Sequence, residues 1–210
     1  GSGATITITG SRFSNATSVT IGGTAVQSFS VISSNTITAI VANGSSGHIV
    51  VNTPNGTATS ASSFTFISAP VITSFTPSVG GTGVTITIVG SNFSNASSIK
   101  IGGTNASSFT VVSSDTIMAV VANGSSGYIF VTTPGGTAIS SDSFTYIPAP
   151  AISSFTPSIG GTGATVTIIG NNFINAGSVT IGGTTVQSFS VVSNDTIRAI
   201  VGSGTTGLIV

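Results

Sequence analysis

The sequence predicts an all-β chain, a series of β-sandwiches with an 80-residue repeat. Three observations predict it. Gly10-Ser11-Arg12-Phe13 returns as Gly90-Ser91-Asn92-Phe93 and again as Gly170-Asn171-Asn172-Phe173, with no insertion or deletion between the copies. Apolar and polar residues alternate, as in Val84-Thr85-Ile86-Thr87-Ile88, which puts Ile86 and Ile88 on one face and Thr85 and Thr87 on the other. That period of two is the mark of a half-buried strand, and no helical period competes with it. Glycine-rich turn signals separate the alternating runs at the short intervals typical of sandwiches.

The middle repeat is expected to hold strands over 72–75, 84–89, 98–101, 108–112, 116–121, 128–132 and 143–147. Gly80-Gly81 parts the first two, and Gly102-Gly103 closes the third. Asn123-Gly124 follows the fifth, and Pro134-Gly135-Gly136 divides the last two. Paired glycines supply the positive φ angles that tight hairpins need. A domain this small depends on each large side chain. Phe75, Phe93, Phe109 and Phe144 recur at equivalent positions and are assigned to the core.

Charged residues make up 3% of the chain, and their formal charges cancel. That balance offers no electrostatic basis for binding nucleic acid or an anionic membrane. With 39% hydrophobic residues, many of them β-branched, the chain is not of the disordered class. Its apolar runs break long before the ~20 residues of a membrane helix. No membrane insertion and no nucleic acid partner are expected. A neutral surface built of Ser, Thr, Asn and Gly favours association between copies.

The opening of the last repeat runs Ala151-Ile152-Ser153-Ser154-Phe155-Thr156-Pro157, then Gly160-Gly161-Thr162, then Val166 to Phe173. With Val179-Thr180-Ile181-Gly182-Gly183 and Val131-Thr132-Thr133-Pro134-Gly135-Gly136, it resembles the IPT/TIG family across essentially the whole chain. The resemblance implies tandem immunoglobulin-like sandwiches. It is nearest to the tandem arrays of bacterial surface proteins, because the basic loops of the DNA-contacting members are missing.

Three domains are expected: 1–69 without its first strand, 70–149 complete, and 150–210 without its last hairpin. The joints, Ser68-Ala69-Pro70 and Pro148-Ala149-Pro150, are short and contain proline, hence semi-rigid. The residues read as a window of a longer repetitive chain. An axial step of roughly 30–45 Å per repeat follows from strand length.

Candidate sites are few. His48 has no acidic partner near it in sequence and is expected on the surface or on an edge strand. Asp115 and Asp195 precede a threonine at a strand start and suit turn capping; one Asp per repeat is too few for calcium. Gly80-Gly81-Thr82-Gly83 lacks the lysine and the helix of a phosphate loop and reads as a turn. No serine has a credible base and acid. No catalytic residue, metal or cofactor is expected. Sequons at Asn15, Asn43, Asn55, Asn92, Asn95, Asn105, Asn123 and Asn194 are candidates for glycosylation.

The leading expectation is a structural segment of an extracellular fibre, filament or adhesin stalk. It would act as a rigid spacer whose partners are neighbouring repeats or copies of itself, meeting head-to-tail or laterally. The alternative is a cell-surface module that binds glycan or protein. Sugar platforms use exposed Trp or Tyr. With no Trp and only Tyr128 and Tyr146, the sequence gives that alternative little support. Ice binding through rows such as Thr5, Thr7 and Thr9 conflicts with the twist of short strands.

Overall fold

The computed structural model describes residues 1–204 and 206–210. Among them all regular structure is β, in two compact units, Gly1–Ile147 and Pro148–Val210. The first unit holds two repeats. Repeat 1 comprises β1 (Thr5–Thr9), β2 (Ser18–Ile21), β3 (Thr24–Ala25), β4 (Ser28–Ser33), β5 (Thr36–Ile40), β6 (Gly47–Thr53) and β7 (Gly56–Phe64). Repeat 2 comprises β8 (Val71–Thr76), β9 (Val79–Gly80), β10 (Thr85–Ser91), β11 (Ser98–Ile101) and β12 (Thr104–Asn105). It continues with β13 (Ser108–Ser113), β14 (Thr116–Val120), β15 (Gly127–Thr133) and β16 (Gly136–Tyr146).

Repeat 2 sets a four-stranded sheet, β13-β14-β10-β8, against a five-stranded one, β12-β11-β15-β16-β9. Alternation makes the core. Ile86 and Ile88 of β10 and Ile117 of β14 point inward from the first sheet, all with no exposed surface. Ile99, Ile129, Val131 and Phe144 answer them from the second. Phe93, in the loop after β10, closes the cluster, its N–H donating to the Ser114 carbonyl at 2.8 Å. Two buried hydroxyls are satisfied. Ser140 Oγ accepts from the Ile129 N–H at 2.9 Å and donates to the Asp142 carbonyl at 2.6 Å. Thr133 Oγ1 accepts from the Gly135 N–H at 3.2 Å.

Several sequence-based expectations shift. The last strand begins at Gly136 rather than at 143, because its N-terminal half pairs with β15 and bulges over Ser140–Asp142. Gly80 is not in a turn; it pairs in parallel with Tyr146, and the turn lies at Thr82-Gly83, where Gly83 has φ 88°. Phe93 and Phe144 are core, but Phe75 and Phe109 are only partly buried against it. Gly102 and Gly103 do take positive φ, 56° and 83°, and form the tight turn between β11 and β12.

Repeat 1 has the same two layers with fewer strands, β1-β5-β4 facing β3-β2-β6-β7. The second unit has β17 (Ala151–Thr156), β18 (Thr165–Asn171), β19 (Thr180–Ile181), β20 (Thr184–Thr185), β21 (Ser188–Ser193) and β22 (Thr196–Ile200). Its β17-β18-β22-β21 sheet matches that of repeat 2, and β19-β20 stand opposite, with Ile209 bridged to Ile181.

Within the first unit the joint is built from specific contacts. Pro70 is buried. Asn92, at φ 59°, turns its side chain back so that Nδ2 donates to the Ala69 carbonyl at 2.9 Å. The β15–β16 hairpin tip lies on the linker so closely that a Cβ at Gly135 would collide with the Ser68 carbonyl oxygen. In the second unit Asn172, at φ 62°, repeats the clamp, donating to the Ala149 carbonyl at 3.1 Å.

Candidate functional site

Within the first unit His48 and Asp115 lie in different repeats, and each bonds to residues of its own repeat. His48 is exposed, as expected, but sits on β6, an inner strand between β2 and β7 rather than an edge. Its Nδ1–H donates to the Ser60 carbonyl at 2.8 Å, which fixes the ring against its own sheet. Among the described residues no group of three or more His, Cys, Asp or Glu could hold a metal ion. No helix of the described residues is long and apolar enough to cross a membrane.

Asp115 and Asp195 are local turn residues. Asp115 Oδ1 accepts hydrogen bonds from Ser113 Oγ and from Thr116 Oγ1, and its carbonyl accepts the Gly90 N–H at 2.8 Å. Asp195 has the same set from Ser193 and Thr196. These bonds favour the charged form, the serine first and the threonine second, and hold both carboxyls below the usual aspartate value of 3.8. A carboxyl whose folded pKa is depressed adds stability above its unfolded pKa and loses it as pH falls through the folded value. The expected result is carboxyl NMR titrations for Asp115 and Asp195 with midpoints below 3.8. Asp115→Asn should remove its share of acid sensitivity, making this turn like that of repeat 1, where Asn35 stands in its place. Midpoints at or above the ordinary value would refute the assignment.

All eight sequon asparagines are exposed. Asn55 is on the β6–β7 hairpin tip, Asn105 in β12 and Asn194 in the β21–β22 turn. Asn15 and Asn95 hold positive φ, 63° and 61°, in the turns after Phe13 and Phe93. Asn43 and Asn123 lie in the loops before β6 and β15, and the Asn123 Oδ1 accepts from the Tyr146 hydroxyl at 3.0 Å. Asn92 is the clamp on the linker.

The outward face of the second sheet in repeat 2 carries a feature that sequence reasoning missed. Tyr128 and Phe130 project on the same side of β15, because they alternate with the buried Ile129 and Val131. Tyr128 is 50% exposed and Phe130 half-buried. Register places Phe130 between Lys100 of β11 and Ile139 of β16, the latter 58% exposed. Tyr128 faces Ser143, next to the exposed Asp142. The signal was present as alternation, but a phenylalanine reads as core by type. The same positions in repeat 1 hold His48, Val50, Thr20 and Thr59 in the same register. The second unit has Leu208, Val210 and Thr180 at the first three. The inward residues keep their type throughout: Val19, Ile99 and Val179, and Ile37, Ile117 and Ile197.

The second unit also has an open cleft of about 360 Å³ whose lining includes Phe155, Val166, Ile181, Val201 and Ile209. Their counterparts in repeat 2 pack around Phe144 in one cluster. Ser158, Thr162 and Thr184 share the lining with these apolar side chains, and none of the residues named carries an acid, a base or a cation.

The IPT/TIG domain model matches residues 1–67, 70–147 and 150–210. No curated protein matches the chain. Among solved structures, the chain is similar to SGBP-B from a complex xyloglucan utilization locus in Bacteroides uniformis. Identity there is 25% and the TM-score 0.32, over 67% of this chain and 44% of that one. It is similar to the Plexin A4 full extracellular region at 17% identity and TM-score 0.41, over 95% and 19%. It is also similar to the Bacteroides ovatus mixed-linkage glucan utilization locus SGBP-B, solved with a mixed-linkage heptasaccharide. There identity is 19% and the TM-score 0.31, over 96% and 64%. The chain spans about half or less of the first three solved chains it resembles, 53%, 44% and 19%. With TM-scores this low, function is read from the residues of this chain.

Proposed function

Because the chain belongs to the IPT/TIG family, with three of its domains in tandem, we propose that it is a non-catalytic module of an extracellular surface protein in which repeats 1 and 2 form a stiff spacer. The observation that carries this reading is the joint. Buried Pro70, the Asn92 amide on the Ala69 carbonyl and the Gly135 hairpin tip against Ser68 leave the linker little freedom. Proline fixes φ and shortens the list of linker conformations. Contacts of this kind suppress the relative motion that small, polar domain interfaces otherwise allow.

Backbone 15N relaxation on the whole chain tests the spacer. One rotational diffusion tensor is expected to fit residues of both repeats in 1–147. Gly135→Val, which drives a side chain into the Ser68 carbonyl, is expected to split that tensor in two. Independent tumbling of repeats 1 and 2 in the unaltered chain would end the spacer reading.

Glycan attachment is part of the same surface proposal. Asn55, on an exposed hairpin tip, suits it, whereas Asn92 is committed to the linker. Intact-mass measurement with site mapping on native material tests both, and a glycan on Asn92 would contradict the clamp. A second reading, a surface module that binds a ligand, is favoured by one observation: Tyr128, Phe130 and Ile139 turned outward on a sheet whose other repeats lack them.

A further inference from the structure

We infer that the outward face of β11-β15-β16 in repeat 2 is a stacking platform for a neutral pyranose polysaccharide of the glucan type. This inference rests on the ligand-binding reading just given. Three features argue for a sugar. Two aromatic rings, Tyr128 and Phe130, leave the same face of one strand. At about 3.3 Å per residue they stand roughly 6.6 Å apart along it, a spacing on the scale of neighbouring sugar units. A pyranose with equatorial hydroxyls has a flat C–H face that stacks on such rings, and its hydroxyl edge seeks hydrogen-bonding groups around them. Those groups are present: Lys100 beside Phe130, Thr132 further along β15, and Ser143 opposite Tyr128, with the exposed Asp142 next to it in the chain.

Charge and area select the occupant. Register sets Lys100 against Phe130, and the exposed Asp142 adjoins Ser143 at the Tyr128 end; their formal charges cancel, so the patch and its margin carry no net charge to attract an acidic glycan. A stable protein interface takes about 800 Å² per partner, whereas the exposed parts of Tyr128, Phe130 and Ile139 present only roughly 300 Å². A second copy of the chain is therefore under-served by this face, and a short run of sugar rings is not.

Fold stability does not require these side chains outside. Repeat 1 builds the same strand pairing with His48, Val50, Thr20 and Thr59. The substitutions that test the platform are thus ones the fold already accommodates elsewhere in the chain.

The experiment is isothermal titration of the 210-residue chain with a mixed-linkage glucan heptasaccharide, a neutral chain of pyranoses with equatorial hydroxyls, and with an oligogalacturonate of similar length. The unaltered chain is expected to bind the neutral sugar and not the acidic one. The double variant Y128H/F130V is expected to bind at least about tenfold more weakly with an unchanged melting temperature. If that variant unfolds, K100T together with Y128L, each a residue found at the equivalent position of another repeat, gives the same readout. Failure of the unaltered chain to bind either sugar would overturn the platform, while the wider ligand-binding reading would fall only if Y128H/F130V also changed no interaction of the chain. Binding that both variants leave intact would keep the reading and overturn the placement. Preference for the oligogalacturonate would overturn the neutral class. Concentration-dependent dimerisation abolished by Y128H/F130V would make the face a contact between copies and overturn the glycan assignment.

Discussion

Phe144→Ala is expected to cost repeat 2 about 3–5 kcal/mol, a large share of the 5–15 kcal/mol that holds a typical domain together. The ring has no exposed surface and sits near the C-terminal end of β16, among Ile86, Ile88, Ile129 and Val131. Its register partner is Gly127, so no side chain stands directly opposite it on β15 to fill the space. Both tyrosines of the chain, Tyr128 and Tyr146, lie in repeat 2. Tyrosine fluorescence during guanidinium denaturation therefore reports this repeat alone. The midpoint should fall sharply while far-UV circular dichroism retains a later transition from the remaining repeats. A shift of less than about 1 kcal/mol would mean that the Phe144 ring is not the centre of that core.

Gly90→Ala is the second large effect, and it comes from overcrowding. At the bulge between Val89 and Gly90 the neighbouring strand β8 passes so near that a Cβ would run into the Val71 carbonyl oxygen. It would also come within 2.6 Å of the Phe93 ring. A ring tip can swing aside, but a carbonyl held in a sheet cannot, so β8 must part from β10. Overpacking typically costs about 1–3 kcal/mol, and loss of strand pairing adds to it. Gly170→Ala should behave alike, since the Ala151 carbonyl stands in the same relation to it. Gly10→Ala should be milder, because the atoms nearest its Cβ belong to the Phe13 ring, which can swing aside, rather than to a carbonyl. Denaturation midpoints of the three variants check the order, and equal losses at all three would contradict the carbonyl argument.

The sheets were legible in the sequence because each strand buries one face, and a buried face leaves an alternating record. Ser98–Ile101 was readable to the residue, its two isoleucines facing inward. The first half of β16 was not, since Gly136-Thr137-Ala138 carries little apolar weight and its place is fixed by β15 across the hairpin. Val79–Gly80 leaves no record at all; two residues pair in parallel with a strand end far along the chain. The outward platform was half legible. Alternation assigns Phe130 to the same face as Tyr128, but the burial of Phe93 and Phe144 makes every phenylalanine look internal. Asn92 was visible only as a sequon. Its positive φ and its partner carbonyl both come from the way the linker folds back, which no local pattern encodes.

The clamp on the linker has an evolutionary corollary. Asn92 and Asn172 each grip the carbonyl that precedes their own repeat, 23 residues back in both cases. An 80-residue segment counted from the linker alanine thus carries both halves of the fastening. Unequal crossover between copies of such a gene adds or removes whole segments without separating an asparagine from its carbonyl. The array can therefore lengthen or shorten by recombination while every junction is inherited ready-made, and length becomes a trait that selection can tune independently of the fold.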